Sequence, residues 1–402
     1  MASHSAPVGP DLVRSRVRSL PRRLRPESAD GLAAQWELRI ADRSFCVTVG
    51  GRGCAVADGP AHRPDSVIVT DDETWLEIDE GRLTGGEAFL ARRLTAMGNL
   101  DLAVRLLTMF RPTGRARRSS DLDQVEVDVD GLRLSAYVVG RGDPLLLLHG
   151  LGGTKITWTP FLAQLARDHR LIVPDLPGHG GSAKPRSDYS PRFFARVMTG
   201  LLDAMGVDRA VVVGNSMGGR VAVELALRSP DRVSGLVLLS PAVPGIRWRL
   251  VMGFTRVFPT EVGAIPFPLR ERWMEVAIKR LFADPGSLPP AGYAMAAGEF
   301  IRIYREPMAR MAFFASLRQI VTERPDPFYA SLRAIAQPTL VVFGDRDRLV
   351  PPRLGVRLVE NLPDARLVVL PGVGHVPQFE APETTLQLVR DFMAPAGRRR
   401  PR

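Results

Sequence analysis

The hydrophobic pattern changes its period part-way along the chain. Trp36, Leu38 and Ile40 alternate with polar neighbours, and Phe45, Val47 and Val49 repeat the alternation. A period of two marks half-buried strands, and Gly50-Gly51 supplies a turn after the second run. Ser66–Thr70 predicts a further strand, and residues 74–79 and 86–93 look helical. Leu100, Val104, Leu107 and Phe110 then stand at helical spacing. These elements make a small α+β module of roughly 80 residues, enough for one core.

After residue 121 the apolar residues come as continuous runs at 145–148, 171–173, 210–213, 235–239, 340–343 and 367–370. Such runs are the mark of strands buried on both faces of a parallel sheet. Helical patterns lie between them, which predicts an α/β fold with a doubly wound, mostly parallel sheet. Ligands of that architecture sit at the carboxyl ends of the strands. The stretch 241–330 interrupts the alternation with Trp248, Phe254, Phe258, Phe267, Trp273, Phe282, Tyr293, Phe313 and Phe314. It reads as an inserted helical cap.

Between the two patterns, Arg111 to Ser120 is basic, carries Pro and Gly, and lacks large apolar residues. That is linker composition. The expected layout is a basic disordered tail at 1–30, an α+β domain at 31–112 and a basic linker at 113–122. An α/β domain at 123–395 and a basic tail at 396–402 complete it. Val13, Val17, Leu20 and Leu24 fall at helical spacing in the first tail, but Pro21 inside the pattern argues against a helix there.

Composition adds limits. Of 402 residues, 45% are hydrophobic and 24% charged, as in an average soluble protein. That excludes a wholly disordered, collagenous or disulfide-scaffold chain. No apolar run approaches the roughly 20 residues of a membrane span. The net charge of +11 is concentrated at 1–30, 111–118 and 398–402, so the remaining chain is neutral. Solvated basic segments are the plain reading, and a weak anionic membrane surface stays open as a partner. Nucleic acid is not expected. Two cysteines, Cys46 and Cys54, are too few for a disulfide framework and fit reduced thiols in the cytoplasm. No apolar segment of a secretory signal follows the N-terminal arginines.

The strongest chemical signal is Val211-Val-Val-Gly-Asn-Ser-Met-Gly-Gly219. Ser216 lies in Gly-x-Ser-x-Gly after a strand and before a helical stretch. A sharp strand-to-helix turn would expose its hydroxyl at a helix N-terminus, with Gly214 and Gly218 leaving room. A serine needs a base to become a nucleophile. Of six histidines, only His375 stands in a loop after the last predicted strand. His149 and His179 sit in glycine turns, and His169 precedes a strand at the opposite edge. The orienting acid is Asp345 or Asp347, both after the strand 340–343, and position alone does not choose. Gly150-Leu-Gly-Gly153 follows the strand 145–148. The amides of Leu151 and Met217 are the expected oxyanion donors.

These motifs resemble the α/β-hydrolase family of the esterase and lipase type over nearly all of 121–395. The resemblance rests on His149-Gly-Leu-Gly-Gly153, Asp175-Leu-Pro-Gly-His-Gly-Gly-Ser182, Gly214-Asn-Ser-Met-Gly218, Gly344-Asp-Arg-Asp347 with Pro351, and Gly374-His375. The family's acid loop, Gly-x-x-Asp with a proline four residues on, implies Asp347. The family also implies a cap domain; no metal-ligand cluster or dinucleotide fingerprint is present in the sequence, and no cofactor is expected. Gly-Asn-Ser-Met-Gly-Gly resembles the motif of carbon–carbon bond hydrolases acting on aromatic ring-fission products. The first domain resembles a sterol-carrier-protein lipid-binding domain, on Trp36-Glu-Leu, Trp75-Leu-Glu-Ile-Asp-Glu-Gly81 and Met97-Gly-Asn-Leu-Asp-Leu-Ala103. That resemblance implies an apolar tunnel.

The expectation is a serine hydrolase acting on an ester or thioester with an apolar acyl part, through Ser216, His375 and Asp347. Gly150, Trp248, Phe254, Phe267 and Trp273 are expected to shape its pocket. Carbon–carbon hydrolysis on the same triad, or lipid binding and transfer without catalysis, are the alternatives.

Overall fold

The structure is a computed structural model that describes residues 10–394 except 30–31, 52, 63, 86–87, 89–90, 92, 99, 115–122, 246–269 and 289. The chain divides into two compact units, Met1–Asp121 and Leu122–Arg402.

The first unit is built on a five-stranded sheet. Its strands are β1 (Ala33–Ile40), β2 (Arg43–Gly50), β3 (Gly53–Asp58), β4 (Ser66–Thr70) and β5 (Leu94–Gly98), in the order β3-β2-β1-β4-β5. Only β1 and β4 run parallel. The period-two residues pair across the first hairpin, Trp36 with Val47 and Leu38 with Phe45, and all four are buried. The Trp36 indole N–H donates to Leu102 O at 2.9 Å. In the helix Leu100–Thr108 and just beyond it, Ala103, Leu106 and Met109 are the buried face, while Val104, Leu107 and Phe110 are half-buried. The helical stretch expected at 86–93 lies mostly outside the described residues.

The expected disordered tail is corrected from residue 10 onward. Pro10–Arg18, Leu20–Arg23 and Pro26–Ala29 are helical, and Val13, Val17 and Leu20 are fully buried. Pro21 does not break this because it sits in the first turn of the second helix, where its missing N–H has no acceptor to lose. Four arginines of the segment, Arg14, Arg16, Arg18 and Arg23, are paired with acids. Arg18 meets Asp58 at 2.5 Å, and Arg23 and Arg16 converge on the buried Asp79 carboxylate. The linker also begins later than expected. Thr113 donates its N–H to Asp79 O at 2.7 Å, and its hydroxyl to the Asp79 carboxylate at 2.9 Å.

The cysteines are unpaired. Cys46 faces Ala57 and Cys54 faces Val49, a three-residue offset that puts them beyond disulfide reach.

The second unit is an eight-stranded sheet in the order β13-β12-β11-β10-β8-β9-β7-β6. β8 (Asp143–Leu148), β9 (His169–Pro174), β10 (Ala210–Asn215), β11 (Val233–Leu239), β12 (Thr339–Gly344) and β13 (Ala365–Leu370) are all parallel. They contain the six continuous apolar runs. Two further strands, β6 (Asp123–Val129) and β7 (Leu132–Val139), add an antiparallel hairpin at one edge. Asp130 and Gly131 close it, both with positive φ, as a two-residue hairpin turn of the mirror-image type requires. Between β11 and β12, the described residues form the helices Glu271–Lys279, Pro290–Tyr304, Pro307–Thr322 and Pro325–Ser331.

Candidate active site

Four of the parallel strands end in the predicted site segments: β8 before Gly150, β10 before Ser216, β12 before Asp347 and β13 before His375. Parallel strands share their carboxyl edge, so side chains far apart in sequence emerge on one rim of the sheet.

Ser216 carries φ +52° and ψ −116°, a strained conformation for a non-glycine residue. It is the hinge between β10 and the helix Met217–Arg228. The turn closes only because its neighbours are glycines. A Cβ on Gly214 would meet the Gly218 carbonyl at 2.4 Å, and one on Gly218 would meet Leu148 O at 2.1 Å. The Ser216 N–H donates to Leu239 O at 2.9 Å. Met217 opens the helix, where the first amides have no intrahelical acceptor and point toward a negative charge. The Gly150 loop lies against this turn, since a Cβ on Gly150 would stand 3.2 Å from Ser216 Cβ. Leu151 follows it directly.

His375 and Asp347 are both buried, and His375 Nδ1 lies 2.8 Å from Asp347 Oδ2. A ring nitrogen on a carboxylate carries the proton, which leaves the lone pair on Nε2. The other Asp347 oxygen accepts the N–H groups of Leu349 and Val350 at 2.9 and 2.8 Å. Asp345 is exposed and accepts the Gly372 N–H at 2.7 Å instead. One residue outside the predicted set also bears on the base. Asn215 Nδ2 donates to His375 O at 3.3 Å and to Leu239 O at 3.1 Å. Its place before the serine was visible in the motif, but its bond to the base loop was not.

The remaining histidines of this unit have other work. His149 is fully buried, and its Nε2 accepts the Leu176 N–H at 2.9 Å, so the proton sits on Nδ1, 2.8 Å from Gly150 O. Burial pushes its pKa down to about 4. Burial likewise pushes His179 down to about 3, helped by the neighbouring His149. His169 opens β9 at the amino end. Below the Gly150 loop, Lys155 and Asp175 form a wholly buried ion pair at 2.8 Å. Asp175 also accepts the backbone N–H groups of Lys155 and Gly181.

The predicted pocket residues fare differently. Trp248, Phe254 and Phe267 lie outside the described residues. Trp273 is corrected: its side chain is 62% exposed on a helix that buries none of its residues, so it does not line an enclosed pocket. The aromatic period in its helix belongs to a surface. Among the described residues, Phe300 and Phe313 roof the glycine loop. A Cβ on Gly152 would stand 3.0 and 3.4 Å from their rings. With Tyr304 they form a tilted and edge-to-face aromatic group with centroids 4.3–5.8 Å apart.

A strained serine after a parallel strand, and a histidine–aspartate pair on the same sheet rim, define the class of an α/β hydrolase. Comparison with known proteins agrees. The alpha/beta hydrolase fold model matches residues 143–382, and the chain belongs to this family. Residues 19–111 match the SCP-2 sterol transfer family, so the chain joins a sterol-carrier-type domain to a hydrolase domain. One relative is a 2-hydroxy-6-oxo-6-phenylhexa-2,4-dienoate hydrolase of Burkholderia cepacia, 30% identical over 67% of this chain and 94% of its own. Another is a 2-hydroxymuconate semialdehyde hydrolase of Pseudomonas sp. strain CF600, 31% identical over the same shares. Among solved structures, a bacterial membrane phospholipase A superposes with a TM-score of 0.57 at 28% identity. That match covers 68% of this chain and 86% of the phospholipase.

Proposed function

We propose that the protein is a serine hydrolase that cleaves an ester or thioester with an apolar acyl part. Ser216 Oγ attacks the carbonyl carbon while His375 Nε2 takes its proton. Asp347 holds the imidazole and stabilises the imidazolium. The amides of Leu151 and Met217 receive the oxyanion; each such donor contributes about 3–4 kcal/mol to the transition state. His375 returns the proton to the leaving group and then activates the water that hydrolyses the acyl-enzyme.

The observation that carries the acyl preference is the roof over the glycine loop. It is aromatic, and three cations of the flanking segments are engaged. Lys155 is held by Asp175, Lys184 by Gly180 O, Ser182 O and Glu306, and Arg310 by the carbonyls of Tyr304 and Arg305. An uncharged, apolar acyl chain suits such a wall. A membrane phospholipase among the similar structures supports the same reading.

Carbon–carbon hydrolysis is the second reading. It is favoured by relatives named as dienoate and semialdehyde hydrolases, which match over 94% of their length. A dienoate is a carboxylate, and its recognition calls for a cation in the pocket.

The deciding experiment is hydrolysis of p-nitrophenyl esters from two to sixteen carbons, run beside a ring-fission dienoate, with Ser216→Ala as control. Ester turnover that disappears in Ser216→Ala, with no cleavage of the dienoate, supports the proposal. Dienoate cleavage at higher kcat/KM than any ester replaces it with the second reading.

The sterol-carrier-type unit is proposed to hold an apolar ligand, on the strength of its family. Full-length Ser216→Ala titrated with a fluorescent fatty acid tests this; no displaceable binding removes it. A cytoplasmic setting is part of the same proposal and fits the two unpaired cysteines.

A further inference from the structure

We propose that Glu380 is a positioning residue that fastens the base loop to the cap, so that His375 is in place only while the cap is seated. The inference rests on the triad proposed above.

The carboxylate bridges two segments. One oxygen of Glu380 accepts the N–H groups of Ala283 and Asp284 at 2.7 and 3.3 Å. The other accepts the N–H of Gly374 at 2.7 Å. Ala283 and Asp284 belong to the turn after the cap helix Glu271–Lys279, and Gly374 directly precedes the base. The same turn reaches the base itself, since His375 N–H donates to Leu281 O at 2.7 Å. The approach is close enough to exclude a side chain: a Cβ on Gly374 would lie 2.6 Å from both Ala283 N and Leu281 O. Apolar contacts seal the joint. Phe282 and Tyr293 pack with Val376, the residue after the base, and Leu281, Leu288 and Phe379 surround them.

His375 is therefore held from three directions. Asp347 holds its ring, Asn215 its carbonyl and Leu281 its N–H. Only the last hold comes from the cap, and Glu380 reinforces it. A carboxylate suits this place because both oxygens accept and neither donates. A glutamine of the same shape would turn an NH₂ group toward one of the two N–H segments. Burial raises the Glu380 pKa, and the nearby Asp284 charge adds to the rise, while its three N–H donors oppose it. The side chain thus sits in a partly dry joint whose strength depends on those donors. A substrate that shifts the cap would shift the base with it.

The test uses the full-length protein and an active-site serine probe, a fluorophosphonate, whose labelling rate reports how well His375 activates Ser216. That readout does not depend on the natural substrate. Wild type, Ser216→Ala, Glu380→Gln and Glu380→Ala are compared, with ester kcat and KM and thermal midpoints measured on the same samples. Displacements of about 1 Å in a catalytic group lower rates by up to about 100-fold. The expected result is labelling about 10-fold slower in Glu380→Gln and about 100-fold slower in Glu380→Ala. Ester kcat should fall in step, with KM within about two-fold of wild type. Labelling at the wild-type rate in Glu380→Gln, per folded molecule, overturns the proposal even if its thermal midpoint drops. Should Glu380→Ala not fold, the isosteric Glu380→Gln decides alone. A wild-type protein that resists the probe removes the triad reading, and this coupling with it.

Discussion

Asp345 and Asp347 show how much a single residue's surroundings decide. Both follow β12, and spacing alone left them equivalent; the family's acid loop pointed to Asp347. Asp345 is exposed and holds a turn through Gly372, whereas Asp347 is buried and bonded to His375, Leu349 and Val350. Asp347→Asn should therefore lower ester kcat by about 10⁴-fold, because an amide in that place favours the wrong imidazole tautomer. Asp345→Asn should stay within a few-fold. Comparable losses in both would remove the assignment. The Lys155–Asp175 pair carries a different consequence at the same scale. Both side chains are wholly inaccessible to water. Such a pair is no strong source of net stability, but removing one partner strands the other charge, at about 3–5 kcal/mol. Asp175→Asn should lower the urea unfolding free energy by that amount, a loss that an exposed ion pair would not show.

The elements were legible wherever a segment buries one strong pattern. All six continuous apolar runs fall within parallel strands, and the period-two runs became β1 and β2. The antiparallel hairpin of β6 and β7 was missed because its edge position leaves alternating Val125, Val127 and Val129 among acids, without a continuous run. Its Asp130-Gly131 turn was the available signal. The N-terminal helices were missed for another reason. Their arginines read as a solvated tail, yet Asp58 and Asp79 receive four of them while Val13, Val17 and Leu20 enter the core. Tertiary partners, which no local pattern displays, turned a basic stretch into structure. Leu20→Ala should accordingly cost about 2–5 kcal/mol in guanidinium unfolding. In a disordered tail the same change would stay within about 0.5 kcal/mol. The cap was located by its break in the strand–helix alternation, but its pocket residues were not. Aromatic content does not say which ring faces the glycine loop, and here Phe300 and Phe313 do so while Trp273 faces solvent.

At the scale of the molecule, the pH dependence of stability follows from two histidines that were legible as turn residues and not as buried ones. His149 and His179 are wholly buried, with pKa values lowered from 6.5 to about 4 and about 3, burial being the main cause for both. In the unfolded chain both take up a proton near pH 6.5, whereas in the folded chain both refuse it until far lower pH. Between those limits the unfolded state binds more protons, so stability falls as pH falls. Above about pH 7.5 both histidines are essentially neutral in both states, and their contribution no longer varies. Each histidine contributes a slope of up to about 1.4 kcal/mol per pH unit across the window. Ordinary carboxylates are ionised in both states above about pH 5, so between about pH 5 and 6 the two histidines dominate, with Glu380, whose pKa burial raises, acting in the opposite sense. Denaturant unfolding of the full-length protein at several pH values in that range should show the decline, while His179→Phe should decline less steeply by about one proton's worth. The ring contacts to Phe194 and Tyr304 suit an aromatic replacement, and only the hydrogen bond to Pro177 O is given up. Parallel curves for the two proteins would mean that His179 takes up its proton in the folded state, and that the core beneath the glycine loop is open to water.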